Sequence, residues 1–453
     1  MSHLAPKRLP LALPLLLAAL VAPAAAHGNG FALDIQGAFS NGTATAGAAS
    51  AHDPAGQFAN PAVLASLEGT QLVLGGMLIA GRAPYTDGGS TLLGGAMPLP
   101  GANGDGAQAG TVPWVFASHR LSPSLAVGFQ LAAPFGLTSD YGKSKGFYGR
   151  YQGVESVIES VAFGPTVAWR PTSSLAVGAG LSARRDHALI GQAADIGSLC
   201  VAQRMELGES ADEAVANCTA GGMPPGGADG YAKFDANGWA WTLTLGVTFE
   251  PVAGTRLGLG YRHEAQGEVE GDAKPDAALA AATGFAGDTA ASMKLPLPDF
   301  FTLSLEQKVG AALTLHAAFQ YSLWSRWDTI TLTPEDPANP VGGDSQQGFR
   351  SVFRVSGGAA YAVSPGLELF GGVAFEQSPI TDRYRQATLP ERDSLIAGLG
   401  AQLALGRVTL GAVYQRVQML GESKIDQDTG SDHLVGSVEG SANVAALQLG
   451  WRG

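Results

Sequence analysis

Four groups of residues in this chain have types and spacings that could do chemistry. Gly142-Lys143-Ser144-Lys145-Gly146 spells the G-x-S-x-G string that presents a serine to an acyl group. Gly178-Ala179-Gly180-Leu181-Ser182-Ala183 imitates a glycine-rich dinucleotide loop. Cys200 and Cys218 could close a disulfide or hold a metal, and Arg184 could meet an anion. Each group must be judged by the element that holds it. The serine string lies in a polar loop without the strand–elbow–helix that a nucleophile needs. The glycine string lies within an alternating strand, with no helix to aim its amides at a phosphate. His119, His187, His263 and His316 are scattered, and none pairs with a serine, so a phospholipase-like hydrolase lacks its base. No histidine accompanies the cysteines at ligand spacing, so neither metal nor cofactor is expected. Enzyme chemistry is therefore not expected of this chain.

The composition says what kind of element predominates. Of 453 residues, 63 are glycine, 45% are hydrophobic and only 15% are charged, which is too little charge for an ordinary soluble surface. Beyond residue 26 no run of about 18 apolar residues offers a spanning helix. The formal charge of −12 argues against nucleic acid. Lys7 and Arg8, an apolar run from Leu9 to Val21 and then Ala24-Ala25-Ala26 make residues 1–26 a secretory leader, whose loss takes the charge to −14. In the oxidising compartment beyond, a Cys200–Cys218 disulfide is expected.

Past residue 70 the apolar residues recur with a period of two, as in Thr242–Phe249, Leu313–Tyr321 and Val444–Trp451. Six tight Pro/Gly/Ser-marked turns (Leu121–Ser124, Arg170–Ser174, Pro251–Thr255, Val309–Ala312, Val363–Gly366, Leu405–Arg407) alternate with seven long polar connections. The long ones lie near residues 81–111, 137–155, 189–236, 266–298, 324–350, 377–392 and 419–436. Thirteen connections join fourteen strands, and short turns at one end with long loops at the other are the asymmetry of an outer-membrane barrel. Trp169, Trp239, Phe301, Trp324, Trp327, Phe353, Tyr414 and Trp451 stand near strand ends, where interfacial girdles form. The expected fold is all-β: a 14-stranded antiparallel transmembrane β-barrel over residues 69–453. Residues 27–68 alternate poorly yet carry Phe31, Leu33, Ile35, Phe39, Phe58 and Leu64, so they are read as a small N-terminal hatch that plugs the lumen.

Several blocks together resemble one family. Gly30-Phe31-Ala32-Leu33, Ala46-Gly47, Asp53 and Asn60-Pro61-Ala62 are similar to the N-terminal hatch of the FadL family of outer-membrane transporters. The resemblance continues through Ala133-Pro134-Phe135-Gly136-Leu137, Asp140-Tyr141, Gly149-Arg150-Tyr151, Leu297-Pro298-Asp299 and Trp324-Ser325-Arg326-Trp327-Asp328. Gln377-Ser378-Pro379 and Leu389-Pro390-Glu391-Arg392-Asp393 complete it, in the family's order over nearly the whole mature chain. One departure is the C-terminus, where Trp451 is followed by Arg452-Gly453 although such barrels usually end on an aromatic assembly signal. The resemblance implies a passive channel for long-chain fatty acids, with alkanes and aromatic hydrocarbons as the nearest alternative. A general porin and an adhesin or phage receptor are the readings from other classes. The implied partners are the hydrophobic substrate, outer-membrane lipid and lipopolysaccharide, and the barrel assembly machinery that inserts a monomer.

Pro134 falls inside the third strand, Leu125–Phe135, where proline cannot donate to the ladder, and Gly136 stands beside it. A local break at Pro134, Phe135 and Gly136 is therefore expected. The resemblance implies that an inward kink here opens the wall sideways, with Asn60-Pro61-Ala62 packed near it. In strand five, Leu175, Val177, Ala179 and Leu181 take the lipid face, which turns Ser182 and Arg184 into the lumen. Arg184 is then either a carboxylate partner or the mate of an acid such as Asp34 or Asp53. Leu137, Tyr141, Phe147 and Tyr148 offer apolar contacts for a ligand in the following loop. Lys143, Lys145 and Arg150 attract anions there or bind lipopolysaccharide phosphate.

Overall fold

Side chains of β1 (Thr70–Arg82) show the rule that builds the wall. Leu72, Leu74 and Leu78 are 36–48% exposed on one face, while Val73, Met77 and Ile79 on the other are at most 3% exposed. Only an apolar surround outside and a filled lumen inside satisfy both faces. The computed structural model describes residues 29–453, apart from 49, 51, 144, 145, 285, 286 and 337–341. The expected leader, Ser144 and Lys145 lie outside the described residues.

The next crossings are β2 (Ala109–Ser122), β3 (Leu125–Asp140), β4 (Glu155–Trp169), β5 (Leu175–Asp195) and β6 (Asp229–Val252). Four crossings then come in two pieces each. They are β7 (Thr255–Glu264 and Gly267–Pro275), β8 (Thr289–Leu295 and Phe300–Val309), β9 (Leu313–Ser322 and Thr329–Pro334) and β10 (Gly343–Gln346 and Val352–Ser364). The wall ends with β11 (Leu367–Glu376), β12 (Ser394–Leu405), β13 (Val408–Met419) and β14 (Ser441–Arg452). All neighbours pair antiparallel, and β14 returns to β1 with Leu449 opposite Leu74, so the sheet closes into a fourteen-strand barrel. The six tight turns fall where the sequence places them.

The long-loop end differs from expectation in three ways. First, the strands run on past the apolar band: β5 and β6 have 21 and 24 residues, and about 9–11 suffice to span. Residues 189–195 and 229–236, expected in a loop, are therefore wall. Secondly, helices α1 (Ile196–Glu206) and α2 (Ala211–Ala220) stand between them, joined by the Cys200–Cys218 disulfide. Thirdly, six short strands from the first and last loops make a separate sheet that caps this end over a core of Tyr85, Ile425, Leu434 and Val438.

Trp324 and Trp327 are not girdle residues. A 3-10 turn at Trp324–Arg326 interrupts β9 and swings both indoles inward, where they are 0% and 5% exposed. Trp169, Trp239, Phe301, Tyr414 and Trp451 do face outward. Asp299, beyond Pro296 and Pro298 in the gap of β8, pins the matching gaps of β7 and β9. It accepts from Tyr261 Oη (2.8 Å), the Glu264 amide (3.1 Å) and Arg326 Nη1 (2.6 Å).

Candidate functional site: the break in strand three and the segment that fills it

The described residues between 29 and 67 lie in the lumen and include a short helix (Ala38–Gly42) and two 3-10 turns (Pro54–Phe58 and Pro61–Ser66). Asp53 and Asn60 cap the turns by accepting the amides of Ala55 and Ala62. Phe31, Ala38, Ala62, Val63 and Leu64 have no measurable exposure. Close approach to the wall is possible only because the wall there is glycine. A Cβ on Gly246 would lie 2.0 Å from Asn60 Oδ1, and one on Gly178 would lie 2.6 Å from the Ala62 nitrogen. Asn60 Nδ2 donates to Val247 O at 3.0 Å. Asn60-Pro61-Ala62 therefore rests on β5 and β6, and the expectation that it packs at the kink is corrected.

The strand-three break is real and sits at Pro134. Ala132 faces Ala162 and Phe135 faces Ser160, so β3 carries one residue more than β4 across this step, a β-bulge. On its other side β3 leaves β2 after Leu131–Val115. From Pro134 to Ser139 every residue is buried, whereas residues 125–131 alternate. The upper part of β3 has thus bent into the lumen and left its edge at residues 132–138 unpaired by β2, pairing resuming only at the Ala107–Ser139 bridge beyond the end of β2.

Phe31, Ala32 and Leu33 take the place of the missing neighbour. The Leu33 amide donates to Pro134 O at 2.8 Å, the Gly136 amide donates to Phe31 O at 2.9 Å, and Ala32 bridges Phe135 antiparallel. Gln36 Nε2 adds a bond to Ala133 O at 3.0 Å. Phe31 packs edge-on against Trp324 (4.8 Å), Trp327 (5.0 Å) and Phe135 (6.0 Å), each contact of a kind worth about 0.5–1.5 kcal/mol beyond burial. A length of lumen backbone therefore completes the barrel wall. Composition and periodicity could not have found this, because two residues of pairing leave no period to detect.

Ion pairs fix the same segment elsewhere. Asp34 accepts from Arg354 Nη1 at 2.8 Å, and Arg354 also pairs with Glu376. His52 stacks on Phe39 at 4.2 Å and meets Glu368 at 2.6 Å and Asp53 at 3.8 Å. Burial opposes its charge, but the carboxylates of Asp53 and Glu368 outweigh it and push the imidazole up to about 9. Asp53 in turn accepts from Gln448 Nε2 at 2.7 Å.

Arg184 is fully buried in the lumen, as parity requires. Its partners are wall acids, not Asp34 or Asp53: Nε lies 2.9 Å from Asp186 and Nη1 2.5 Å from Glu264. Leu137 is buried beside Phe135. Tyr141 stacks on Phe147 at 3.7 Å within the cap core and donates to Ala387 O. Arg150 is buried too, bonding Asp229 (2.7 Å) and the carbonyls of Pro100 and Gly226. Tyr141, Phe147 and Arg150, offered by the sequence for ligand and anion contacts, thus hold the cap together.

Two spaces remain. A cavity of about 40 Å³ lies between Leu137–Ser139, Tyr141 and the Ala387–Glu391 turn, room for a few waters and far below the size of a ligand site. Burial, reinforced by Glu376, pushes the carboxyl of Glu391 in its lining well above the usual range. An outer groove of about 550 Å³ runs between α1 and the cap, lined by Leu92, Leu93, Tyr151, Leu199, Ala202 and Met205. That volume lies within the range of ligand sites.

Known proteins share this architecture. The family model described as "Outer membrane protein transport protein (OMPP1/FadL/TodX)" matches residues 18–452. A long-chain fatty acid transport protein of Salmonella typhi is 23% identical over 67% of this chain and 70% of its own length. The crystal structure of a Pseudomonas aeruginosa FadL homologue superposes with a TM-score of 0.81 at 19% identity, covering 93% of this chain and 99% of the other. The Ralstonia pickettii toluene transporter TbuX gives 0.62 at 20% identity, again over 93% and 99%. The chain belongs to the OMPP1/FadL/TodX family of outer-membrane transport proteins, a family of channels and not of enzymes.

Proposed function

We infer that this barrel passes long-chain fatty acids from the cell surface into the plane of the outer membrane, with residues 1–26 as its export leader and residues 27–68 as its hatch. The ligand docks in the outer groove, enters beside β3 and leaves sideways between β2 and β3 when Phe31–Leu33 withdraw. The pairing of the hatch with Pro134 and Gly136 carries this reading, because a wall completed by a single bridge of two hydrogen bonds opens more easily than a continuous ladder. Sideways exit also spares apolar cargo the cost of water, about 0.8 kcal/mol per methylene. The channel works as a monomer inserted by the barrel assembly machinery among outer-leaflet lipopolysaccharide.

Aromatic hydrocarbon is the second reading, favoured by the commitment of Arg184 and Arg150 to acids. A neutral cargo needs neither cation. Uptake of labelled oleate and of labelled toluene by a deletion strain with and without the restored gene separates the two. Oleate uptake that depends on the gene supports the first reading. Dependence of toluene alone supports the second, and dependence of neither overturns both.

A further inference from the structure

We propose that the outer rim of β1, β14 and β13 is a binding site for the phosphates of one lipopolysaccharide molecule, with Arg82 and Arg416 as its cations. The register places both arginines. Arg82 and Gln418 lie opposite the same residue, Ser441 of β14, and Arg416 lies opposite Asn443. Strands stand about 4.8 Å apart, so the two arginines are roughly 10 Å apart around the wall, the span of a disaccharide with a phosphate at each end.

Parity points both side chains outward. Arg82 continues the lipid face of Leu74 and Leu78, and Arg416 follows Tyr414, which is 53% exposed. Leu447, on the strand between them, is 70% exposed. The arginines therefore stand on the long-loop side of an apolar band, at headgroup level, above surface that acyl chains cover.

The charge of this pair is not neutralised by the protein. Arg416 donates to Asn443 Oδ1 (3.1 Å) and Gln418 Oε1 (2.8 Å), both uncharged, and Tyr414 Oη holds Asn443 in place at 2.7 Å. Arg82 has no hydrogen-bond or ion-pair partner among the described residues. The acids of adjoining segments, Asp105, Glu422 and Glu439, pair with neither; Asp105 caps the amides of Ala83 and Ala107 instead. Of the loop cations that the sequence offered for this role, Lys143 lies 3.8 Å from Asp276 and Arg150 pairs with Asp229, while Lys145 lies outside the described residues. One guanidinium held by neutral amides and a second without a protein partner, both at a membrane surface, call for an anion, and arginine takes phosphate by paired N–H bonds.

The site rests on the outer-membrane placement and is independent of which cargo the channel carries. The full-length protein is to be extracted from outer membranes in mild detergent, and its bound lipopolysaccharide measured through 3-hydroxy fatty acids. The Arg82→Gln/Arg416→Gln variant should retain less by at least about tenfold, while heat-modifiable migration and substrate uptake match the wild type. Added back to stripped wild-type protein, phosphorylated lipopolysaccharide should bind well; its dephosphorylated form and phosphatidylglycerol vesicles should bind poorly. Equal retention by the variant overturns the proposal, and so does equal binding of dephosphorylated lipopolysaccharide or of phosphatidylglycerol. Failure of uptake by the wild type would strike the transport reading and leave this result standing.

Discussion

The Gly136 amide is donated to the carbonyl of Phe31 at 2.9 Å, so a strand of the barrel wall finds its partner in the segment that fills the barrel. On the proposed route, plug and gate are then one element: what blocks the lumen also closes the side. Freeing Phe31 from Trp324 and Trp327 would unseal both together.

Phe31→Ala removes the ring that holds this contact. Truncating a buried phenylalanine costs about 3–5 kcal/mol, here charged to hatch docking and not to the barrel ladder. The variant should migrate as a folded, heat-modifiable barrel, yet conduct ions in planar bilayers where the wild type is quiet. Silence of the variant at equal insertion would mean that Phe31 does not hold the seal.

The pH dependence of sealing follows from His52. Its folded value, about 9, exceeds the ordinary 6.5, so the stabilisation is fully present below about pH 6.5 and lost as the pH rises through about 9. Bilayer conductance of the wild type should therefore climb between pH 7 and pH 10, and His52→Gln should remove that rise by leaking already at neutral pH. A conductance flat across this range in the wild type contradicts the assignment.

Cys200 and Cys218 hold α1 against α2, and α1 supplies Leu199, Ala202 and Met205 to the outer groove. Closing a loop of this length is worth about 3 kcal/mol, and the effect is local. Cys200→Ser/Cys218→Ser should raise the half-saturating substrate concentration several-fold while the maximal uptake rate and barrel stability hold. An unchanged half-saturation would remove the groove from the route.

How much of this was legible depends on the range of the signal. Parity in β5 put Leu181 outside and Arg184 inside, because a period of two survives in any single strand. Pro134 announced the bulge, because its missing amide is a local fact. The partners of Arg184 were not legible: Asp186 is two residues away but Glu264 is eighty, and choosing them over Asp34 or Asp53 requires the register. Trp324 and Trp327 looked like girdle because composition cannot show a 3-10 turn that reverses a face. Strand ends in β5 and β6 were read short, since above the membrane both faces meet water or loops and the apolar contrast that marks a strand fades.

The most direct test joins Ala32 to Phe135. Residues paired across an antiparallel bridge have Cα atoms about 4.5–5.5 Å apart, within reach of a disulfide. An Ala32→Cys/Phe135→Cys variant, with the Cys200–Cys218 bond verified by mass spectrometry, should take up substrate at the rate of the deletion strain when oxidised. Reduction should restore uptake, with wild-type cells given the same reductant as control. Equal uptake by the oxidised and reduced variant would show that cargo passes without Phe31–Leu33 leaving β3.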